Sequence, residues 1–468
     1  MTYSQAICYL ESFINYEKIA SYPYKSSLKL ERFRDYLSRI GNPQRHLRCI
    51  NVAGTKGKGS TCAFIAYILN RSGFKAGLYT SPHLSDFRER IRILPVPLQN
   101  KRVDTFAAST PPGINLQANR RIDFEGMISK RELSGLISSL RPSIDKYNKK
   151  SRLGALSFFE VYTAVAFCYF KDKKVDFAVL ETGLGGRLDA TNTVEPLVSV
   201  ITSISYEHTQ KLGNTLAQIA AEKAGIIKAV QGGLPVISAP QVKEVLAVIK
   251  KKCVDVNASL FSVGKDIKFR QIKSRAEIKG LLGTYKGIKL NLSGRHQLIN
   301  AASAVGAVES LKLRGFKIPP ESIKSGLKNT LWPGRCEAVS EDPLVVLDGA
   351  QNIASMKALK AALGENFPYR RLILVLGVSK DKDIAGICRE VSGAADEVIT
   401  TQSKNPRAYP AKKLAAYFRG KKAVPVTGVR EAAKLALRIA QKDDLIVFTG
   451  SLFVVGEARE FFKRGING

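Results

Sequence analysis

The sequence lacks the patterns that mark secreted and membrane-spanning proteins. Its seven cysteines are scattered and form no CxxC pair, which argues against a disulfide framework or a zinc site and is typical of a reducing compartment. No apolar run approaches the roughly 20 residues that cross a bilayer. The first residues, MTYSQAICYLESFINYEKIA, mix charges into an amphipathic pattern instead of a basic-then-apolar signal. We therefore expect a cytoplasmic protein without a membrane segment.

Acidic residues are also scarce. The chain has 40 Asp and Glu against 73 Lys and Arg, which gives a formal net charge of +33. A nucleic-acid binder is one explanation of such a balance. However, the basic residues are spread along the chain, without a block of five or six like charges and without an aromatic-interleaved RNA motif. We expect a monomer with a basic surface that favours anionic small substrates, and no specific nucleic-acid partner.

The chain is long and apolar enough for more than one folded unit. At 468 residues, 45% of them apolar, it exceeds what one compact core normally holds. Strand patterns such as VDFAVLET (175–182) alternate with helical patterns on both sides of about residue 294. The predicted fold class is α/β with two domains. Residues 1–293 are predicted as a P-loop-type ATPase domain with a mostly parallel sheet, and residues 294–468 as a Rossmann-like α/β domain.

A turn rich in glycine and lysine, GTKGKGS (54–60), follows a strand pattern and precedes a helical pattern. The first turn of a helix exposes unpaired backbone N–H groups, so it attracts phosphate. Glycines let the backbone wrap closely around phosphate oxygens, and each lysine adds a full charge. The spacing differs from the ordinary Walker A motif, and a plain glycine turn or a dinucleotide-binding turn are alternatives. Two lysines favour a triphosphate over a pyrophosphate.

Further motifs follow this turn in a fixed order. They are YTSPHL (79–84), SFFEVYTAVAF (157–167), LETGLGGRLDATN (180–192), TSISYEHTQKLGNTLAQIAAEKAGIIK (202–228), GRHQLINAASA (294–304), WPGR (332–335) and LDGAQN (347–352). The glycine turn resembles that of the Mur ligase superfamily, and the ordered set resembles its folylpolyglutamate synthase/dihydrofolate synthase branch. The resemblance covers most of the chain, and only about 95–150 and 253–290 match poorly.

The resemblance implies an ATP-dependent ligase that joins the amine of L-glutamate to a folate carboxylate. Some members of the family also make dihydrofolate from dihydropteroate. The carboxylate is first phosphorylated by ATP, and the amine then attacks the acyl phosphate. The implied cofactors are ATP and Mg²⁺, and the implied partners are folate or dihydropteroate, L-glutamate and ATP. Another amide ligase of the Mur superfamily, acting on a different acid, is the alternative.

The resemblance also assigns residues to the nucleotide. Lys58 would lie at the β- and γ-phosphates, and residues of the second domain would close over ATP and exclude water from the acyl phosphate. The implied nucleotide ligands are Thr55, Lys56, Gly57, Lys58, Gly59, Ser60, Asn300, Arg335 and Asp348.

Four residues are implied as magnesium ligands: Ser81, Glu160, His208 and Lys223. Mg²⁺ prefers oxygen donors, and one imidazole is tolerated. Lys223 matches a lysine that is carbamylated in the family, and because the carbamate needs an uncharged amine, its pKa should be lowered by burial or nearby cations. The predicted catalytic residues are Lys58, Lys223 and His208. Without the motifs, the simpler interpretations are that Ser81 is a helix cap, Glu160 a surface acid and His208 a satisfied polar residue. Lys223 has the alternative of an ordinary helix lysine.

Two positions depart from the family pattern. Gln351 replaces the histidine of the usual DGAHN. Glutamine can hydrogen-bond but cannot carry charge, so the nucleotide affinity is expected to differ. Glu207 replaces an aspartate directly before the predicted magnesium histidine, and its carboxylate lies one methylene further out.

The segment between SPHL and SFFE is long and basic. Residues 95–126 are rich in Pro, Asn, Ser and Arg and are predicted as a loop. Bifunctional members of the family place a pteroate-binding loop in this region. Arg120, Arg121 and Arg131 are therefore candidates to meet a substrate carboxylate, and a solvated loop is the alternative.

Overall fold

The computed structural model describes residues 1–17, 19, 22–95, 124–273 and 275–464. Most of the predicted loop over 95–126 lies outside these ranges, as do Arg120 and Arg121, whereas Arg131 is exposed on a long helix. Within the described residues the chain forms sheets of seven, three and six strands. The predicted α/β class with mostly parallel sheets is confirmed.

The first sheet has seven strands. They are β1 (Cys49–Ala53), β2 (Ala76–Tyr79), β3 (Ile91–Ile93), β4 (Phe177–Glu181), β5 (Pro196–Ile201), β6 (Pro235–Ser238) and β7 (Ser259–Ser262). Their order is β3-β2-β4-β1-β5-β6-β7, and all neighbours are parallel except β2 and β3. The carboxyl ends of the central strands therefore meet at one edge, where doubly wound sheets bind ligands.

Helices cover both faces of this sheet, so that β1 and β4 are buried along their whole length. The described helices before residue 330 are α1 (Tyr3–Glu11), α2 (Tyr24–Ser27), α3 (Leu30–Arg39), α4 (Lys58–Arg71), α5 (Lys130–Lys150), α6 (Phe158–Asp172), α7 (Thr209–Leu212), α8 (Leu216–Ala224), α9 (Lys243–Asp255), α10 (Arg295–Leu313) and α11 (Pro320–Asn329). Apolar residues of α1, α3, α5 and α6 form one core with the sheet, and those of α4, α10 and α11 form another.

A small antiparallel sheet lies beside the second of these cores. Its strands are β8 (Lys268–Ile272), β9 (Arg275–Lys279) and β10 (Thr284–Ile288), in the order β10-β9-β8. Glu309 of α10 accepts a hydrogen bond from the Tyr285 hydroxyl at 2.7 Å. This bond ties the small sheet to α10.

Helices α10 and α11 pack with the first sheet, although the sequence predicted a new domain from residue 294. Leu298 of α10 and Leu327 of α11 share a core with Phe64 and Ile68 of α4. The helical pattern of α10 follows the irregular small sheet, so in the sequence it resembles the start of a new unit. From this packing we propose that the division lies near residue 330.

The second large sheet has six strands. They are β11 (Glu337–Glu341), β12 (Leu344–Leu347), β13 (Arg371–Leu376), β14 (Glu397–Gln402), β15 (Ala423–Thr427) and β16 (Asp444–Thr449). Their order is β11-β12-β16-β13-β14-β15, parallel except for β11 and β12. Its helices are α12 (Ile353–Asn366), α13 (Ile384–Ser392), α14 (Ala411–Ala415), α15 (Val429–Ile439) and α16 (Leu452–Arg464). Among the described helices, none is long and apolar enough to span a membrane.

Candidate active site

The phosphate loop, residues 54–60, connects the carboxyl end of β1 to the first turn of α4. Gly54 and Gly57 have φ values of 150° and 86°, which glycine adopts readily. The backbone N–H groups of Thr55 and Lys56 donate to the carbonyl oxygen of Ser203 at 3.0 and 3.1 Å. The loop is therefore held against the segment that follows β5, and its free N–H groups remain at the start of α4.

Two side chains from later in the chain lie over the phosphate loop. A Cβ added at Gly57 would collide with the amide of Asn300, and one added at Gly59 would lie 2.7 Å from the ring of Trp332. Both glycines are therefore required by a close approach. Asn300, predicted as a nucleotide ligand, is thus next to the loop, and Trp332 is an additional cover that the sequence did not assign.

The two lysines of the loop face acidic side chains. Nζ of Lys56 lies 2.7 Å from Oε1 of Glu207, and Nζ of Lys58 lies 3.9 Å from Oε1 of Glu181. Burial raises the pKa of Glu207, but the nearby charges of Lys56, His208 and Lys382 and the hydrogen bond from Lys56 together outweigh it, and the pKa falls to about 2. Glu207, one of the two departures from the family pattern, is therefore ionised and paired with Lys56.

Lys223 of α8 is buried directly behind the loop. Its Nζ donates to the carbonyl oxygen of Gly54 at 2.7 Å. Burial lowers the pKa of Lys223 to about 7, and the nearby charge of Lys58 acts in the same direction. A substantial fraction of this amine is therefore uncharged near neutral pH, which is the state that reacts with CO₂.

His208 precedes α7 and has a left-handed backbone, with φ of 54°. Burial lowers the pKa of His208 to about 4, although the adjacent Glu207 raises it. The imidazole is therefore neutral near pH 7 and has a free electron pair for a metal or a proton.

Ser81 and Glu181 meet at the ends of neighbouring strands β2 and β4. The N–H of Ser81 donates to Oε2 of Glu181 at 3.2 Å, and the other carboxylate oxygen faces Lys58. Burial raises the pKa of Glu181, while Lys58 lowers it in part. Glu181 was not among the residues predicted from the sequence, although it lies within the motif LETGLGGRLDATN. The sequence did indicate Glu181 in one way, because it ends a buried parallel strand and ligands bind at the carboxyl ends of such strands.

Glu160, predicted as a magnesium ligand, is engaged elsewhere in the structure. The guanidinium of Arg32 donates to both of its carboxylate oxygens at 2.7 to 3.1 Å. The N–H and hydroxyl of Ser157 both donate to Oε2 at 2.7 Å. The carboxylate thus completes a capping box at the start of α6, in which a glutamate follows the N-cap serine by three residues. It also pairs with the buried guanidinium of Arg32. Glu160 borders the same cavity as Ser81, but with its oxygens already used.

The second large sheet contributes Arg335 and Asp348. Arg335 borders a cavity of about 40 Å³ together with Gly59, Ser81 and Glu181. Asp348 accepts hydrogen bonds from the backbone N–H groups of Cys336 and Ala350 at 2.9 and 2.8 Å. Arg335 is therefore beside the phosphate loop, whereas Asp348 is held in the turn after β12.

A larger cavity of about 380 Å³ opens between the two large sheets. Its wall includes Tyr16, Tyr22, Ser81, His208, Gln351 and Lys382. A volume of this order takes a drug-sized organic ligand. Gln351, the second departure from the family pattern, thus faces the space where a substrate can bind.

Among the described residues, no group of three or more His, Cys, Asp and Glu side chains is arranged to hold a metal ion. Ser81 and Glu181 lie together, joined by the hydrogen bond from the Ser81 N–H, and they offer a hydroxyl and a buried carboxylate as donors. The neutral imidazole of His208 lies in the wall of the same cavity as Ser81. This donor set suits a hard ion such as Mg²⁺, which takes oxygen ligands and keeps several waters.

Comparison with known proteins identifies the family. A family model described as Mur ligase middle domain matches residues 154–308, and one described as Mur ligase, glutamate ligase domain matches residues 334–452. A Bacillus subtilis protein named dihydrofolate synthase/folylpolyglutamate synthase is 32% identical over 450 residues, which cover 93% of this chain and 95% of that protein. The chain belongs to the folylpolyglutamate synthase/dihydrofolate synthase family.

Solved structures of folylpolyglutamate synthases have the same fold. Mycobacterium tuberculosis folylpolyglutamate synthase complexed with ADP has a TM-score of 0.84 and 29% identity, and 98% of each chain is covered. Escherichia coli FolC in complex with DHPP and ADP has a TM-score of 0.78 and 26% identity, with 99% of this chain and 98% of that chain covered. The resemblance inferred from the ordered motifs is thus confirmed.

Proposed function

We propose that the protein is an ATP-dependent ligase that adds L-glutamate to a folate carboxylate through an acyl phosphate. One observation carries the proposal. A phosphate loop, a buried lysine of lowered pKa and a cavity of about 380 Å³ adjoin at one edge of the first sheet. Relatives named dihydrofolate synthase/folylpolyglutamate synthase support the same reaction.

The phosphate loop supplies the positive potential that this reaction needs. A carboxylate is a poor acylating agent because its leaving group would be oxide, and transfer of the γ-phosphoryl group of ATP provides a better one. We place the phosphates at the start of α4, where the backbone N–H groups and the side chains of Lys56 and Lys58 offset their charge. Asn300 and Trp332 cover the loop and exclude water from the acyl phosphate.

We propose that Ser81, Glu181 and His208 hold magnesium, and that Glu181 takes the role expected of Glu160. When bound, Mg²⁺ would neutralise phosphate charge and help to align the transferred group. Lys223 would add an anionic oxygen after its neutral amine has reacted with CO₂. In the structure its Nζ donates to the Gly54 carbonyl oxygen at 2.7 Å, which places the amine directly behind the phosphate loop.

Dihydrofolate synthesis is a second candidate activity. The Bacillus subtilis relative has both activities in its name, and the Escherichia coli protein was solved with DHPP and ADP. Both reactions use the same activation chemistry, so one site can serve both acids. Which acid is preferred depends on the groups that line the large cavity.

The test is an assay of ADP release with magnesium and bicarbonate. We expect release that requires L-glutamate together with a reduced folate or dihydropteroate, and a product that is longer by one glutamate by mass spectrometry. An alternative Mur-type ligase would release ADP only with a different acid. Absence of turnover with every pteridine acid would refute the proposal.

A further inference from the structure

Each acidic side chain that borders the large cavity among the described residues is engaged by another group. The pairs are Glu17 with Arg90 at 2.6 Å, Glu160 with Arg32 at 2.7 Å, Asp189 with the Thr191 hydroxyl at 2.7 Å and Asp381 with Arg407 at 2.5 Å. These carboxylates are therefore satisfied without a substrate. Asp381 also pairs with Lys382 at 3.5 Å, and none of the four carboxylates forms an ion pair with Lys211 in the described structure.

Lys211 of α7 lies in this wall and has no such partner. Within the part of the chain that the structure describes, its ammonium makes no ion pair or hydrogen bond, and its Nζ lies 4.1 Å from the centroid of the Tyr22 ring. Burial lowers the pKa of Lys211 and Arg407 lowers it further, while Asp381 raises it in part. Nε of Arg407 is itself buried without a hydrogen-bond partner. The wall thus has two donors, the Lys211 ammonium and Nε of Arg407, that an anion in the cavity would satisfy.

We propose that Lys211 binds an α-carboxylate of the glutamyl part of the folate substrate and so favours folylglutamates over dihydropteroate. This proposal rests on the proposed function. Dihydropteroate carries only the benzoate carboxylate that reacts, whereas a folylglutamate carries an α-carboxylate in addition. Only the second substrate can therefore use a free cation in the cavity wall.

The spacing along the chain supports this assignment. Lys211 is three residues after His208, and its N–H donates to the His208 carbonyl oxygen at 2.9 Å. Both side chains border the same cavity, which lies beside the short helix that carries Lys211. The two carboxylates of one glutamate are joined by only a short carbon chain. A reacting γ-carboxylate near His208 therefore leaves the α-carboxylate within reach of Lys211.

The test compares Lys211→Met, which keeps much of the length of the side chain but loses its charge, with the wild-type protein. A charge-assisted hydrogen bond lost from a partly buried site corresponds to about a tenfold loss of affinity. We expect KM for tetrahydrofolate mono- and diglutamate to rise about tenfold, while KM for dihydropteroate and for L-glutamate stays within twofold. Lys211→Arg should recover most of the loss. Lys357→Met, at an exposed lysine of α12, is the control and should change neither constant.

A binding measurement without turnover distinguishes failure of this proposal from failure of the proposed function. Titration calorimetry without ATP should show about tenfold weaker binding of tetrahydrofolate diglutamate to Lys211→Met, even if the wild-type protein turns over no pteridine. Equal losses for both acids, a loss only for L-glutamate, or no change in diglutamate affinity would each overturn the proposal. Thermal unfolding of each variant checks that the fold is intact.

Discussion

Burial determines the chemistry of the single residues around the phosphate loop. It brings the pKa of Lys223 to about 7 and that of His208 to about 4. On the surface, the lysine would be charged at neutral pH and the histidine partly so. In this site both are available as neutral nitrogen groups, one to react with CO₂ and one to bind a metal.

The pKa of Lys223 predicts a pH dependence. The folded-state value lies below the ordinary value of 10.5, so the neutral amine is favoured above pH 7 and is lost as the pH falls through 7. We expect carbamate formation, and activity at limiting bicarbonate, to increase from pH 6 to pH 8. Carbon-13 NMR with labelled bicarbonate measures the carbamate. Lys223→Arg, which stays charged, should give no signal and at least a hundredfold lower kcat.

The same pKa has a consequence for stability. Because the folded state disfavours the charged amine, the free energy of unfolding is reduced below pH 10.5, and the penalty reaches its full size below about pH 7.

The carbamate experiment can also contradict the assigned role of Lys223. It does so if the labelled wild-type protein gives no carbamate signal at pH 8 and its rate does not respond to bicarbonate.

The two glutamates at issue, Glu160 and Glu181, are distinguished by a pair of matched substitutions. Glu160→Gln leaves the buried Arg32 without its charge partner, so the free energy of unfolding should fall by about 3 kcal/mol, with less than a tenfold change in kcat. Glu181→Gln should leave stability nearly unchanged but lower kcat at least a hundredfold. Chemical denaturation and steady-state rates measure the two effects. The reverse pattern would return the magnesium role to Glu160.

The difference between Glu160 and Glu181 shows what the sequence can predict about single residues. Lys58, His208 and Lys223 could be named from the motifs, and the structure brings them near the loop. Glu160 was named from a motif that is also a helix capping box. Its pairing depends on Arg32, which is 128 residues away in the chain, and sequence alone does not establish such a contact.

At the scale of elements, the strand–loop–helix unit of β1, the phosphate loop and α4 determines where an anion binds. The loop has the required backbone only because Gly57 has a positive φ and no side chain against Asn300. The position of the loop is further fixed by the hydrogen bonds that its backbone N–H groups donate to the Ser203 carbonyl oxygen. An element of seven residues thus depends on two distant segments of the chain.

Gly57→Ala tests this dependence, with Gly41→Ala as the matched control. Both glycines have positive φ, 86° and 81°, but a Cβ at Gly41 meets nothing within 4 Å. Each variant should lose about 1 kcal/mol of stability from the backbone conformation. Only Gly57→Ala should raise KM for ATP, by tenfold or more, because its Cβ displaces Asn300. The same KM for ATP in the two variants would contradict the proposal that the loop holds phosphate.

The elements themselves were largely predictable. The buried parallel strands, such as β4 and β13, have apolar runs that periodicity recognises. The antiparallel edge strands β3 and β11 were not predicted, because they are short or partly polar and their strand state depends on pairing with β2 and β12. Long-range pairing of this kind leaves little local signal.

At the scale of the whole molecule, the large cavity lies between two sheets that the sequence predicted as separate units. Arg407 of the second unit donates to the backbone oxygen of Glu17 at 2.7 Å, so the N-terminal segment is held where the units meet. The charge of +33 has no single cluster that explains it, but three of the cationic side chains, Lys211, Lys382 and Arg407, border this cavity. Anionic substrates are therefore expected between the two units.

In the proposed reaction, ATP primes a substrate carboxylate beside the phosphate loop before the amine attacks. Oxygen-18 in that carboxylate follows this step, because the acyl phosphate must pass one carboxylate oxygen to the released phosphate. We predict that mass spectrometry of the phosphate from one turnover finds one labelled oxygen per molecule. Phosphate without label, formed together with glutamylated product, would contradict the account.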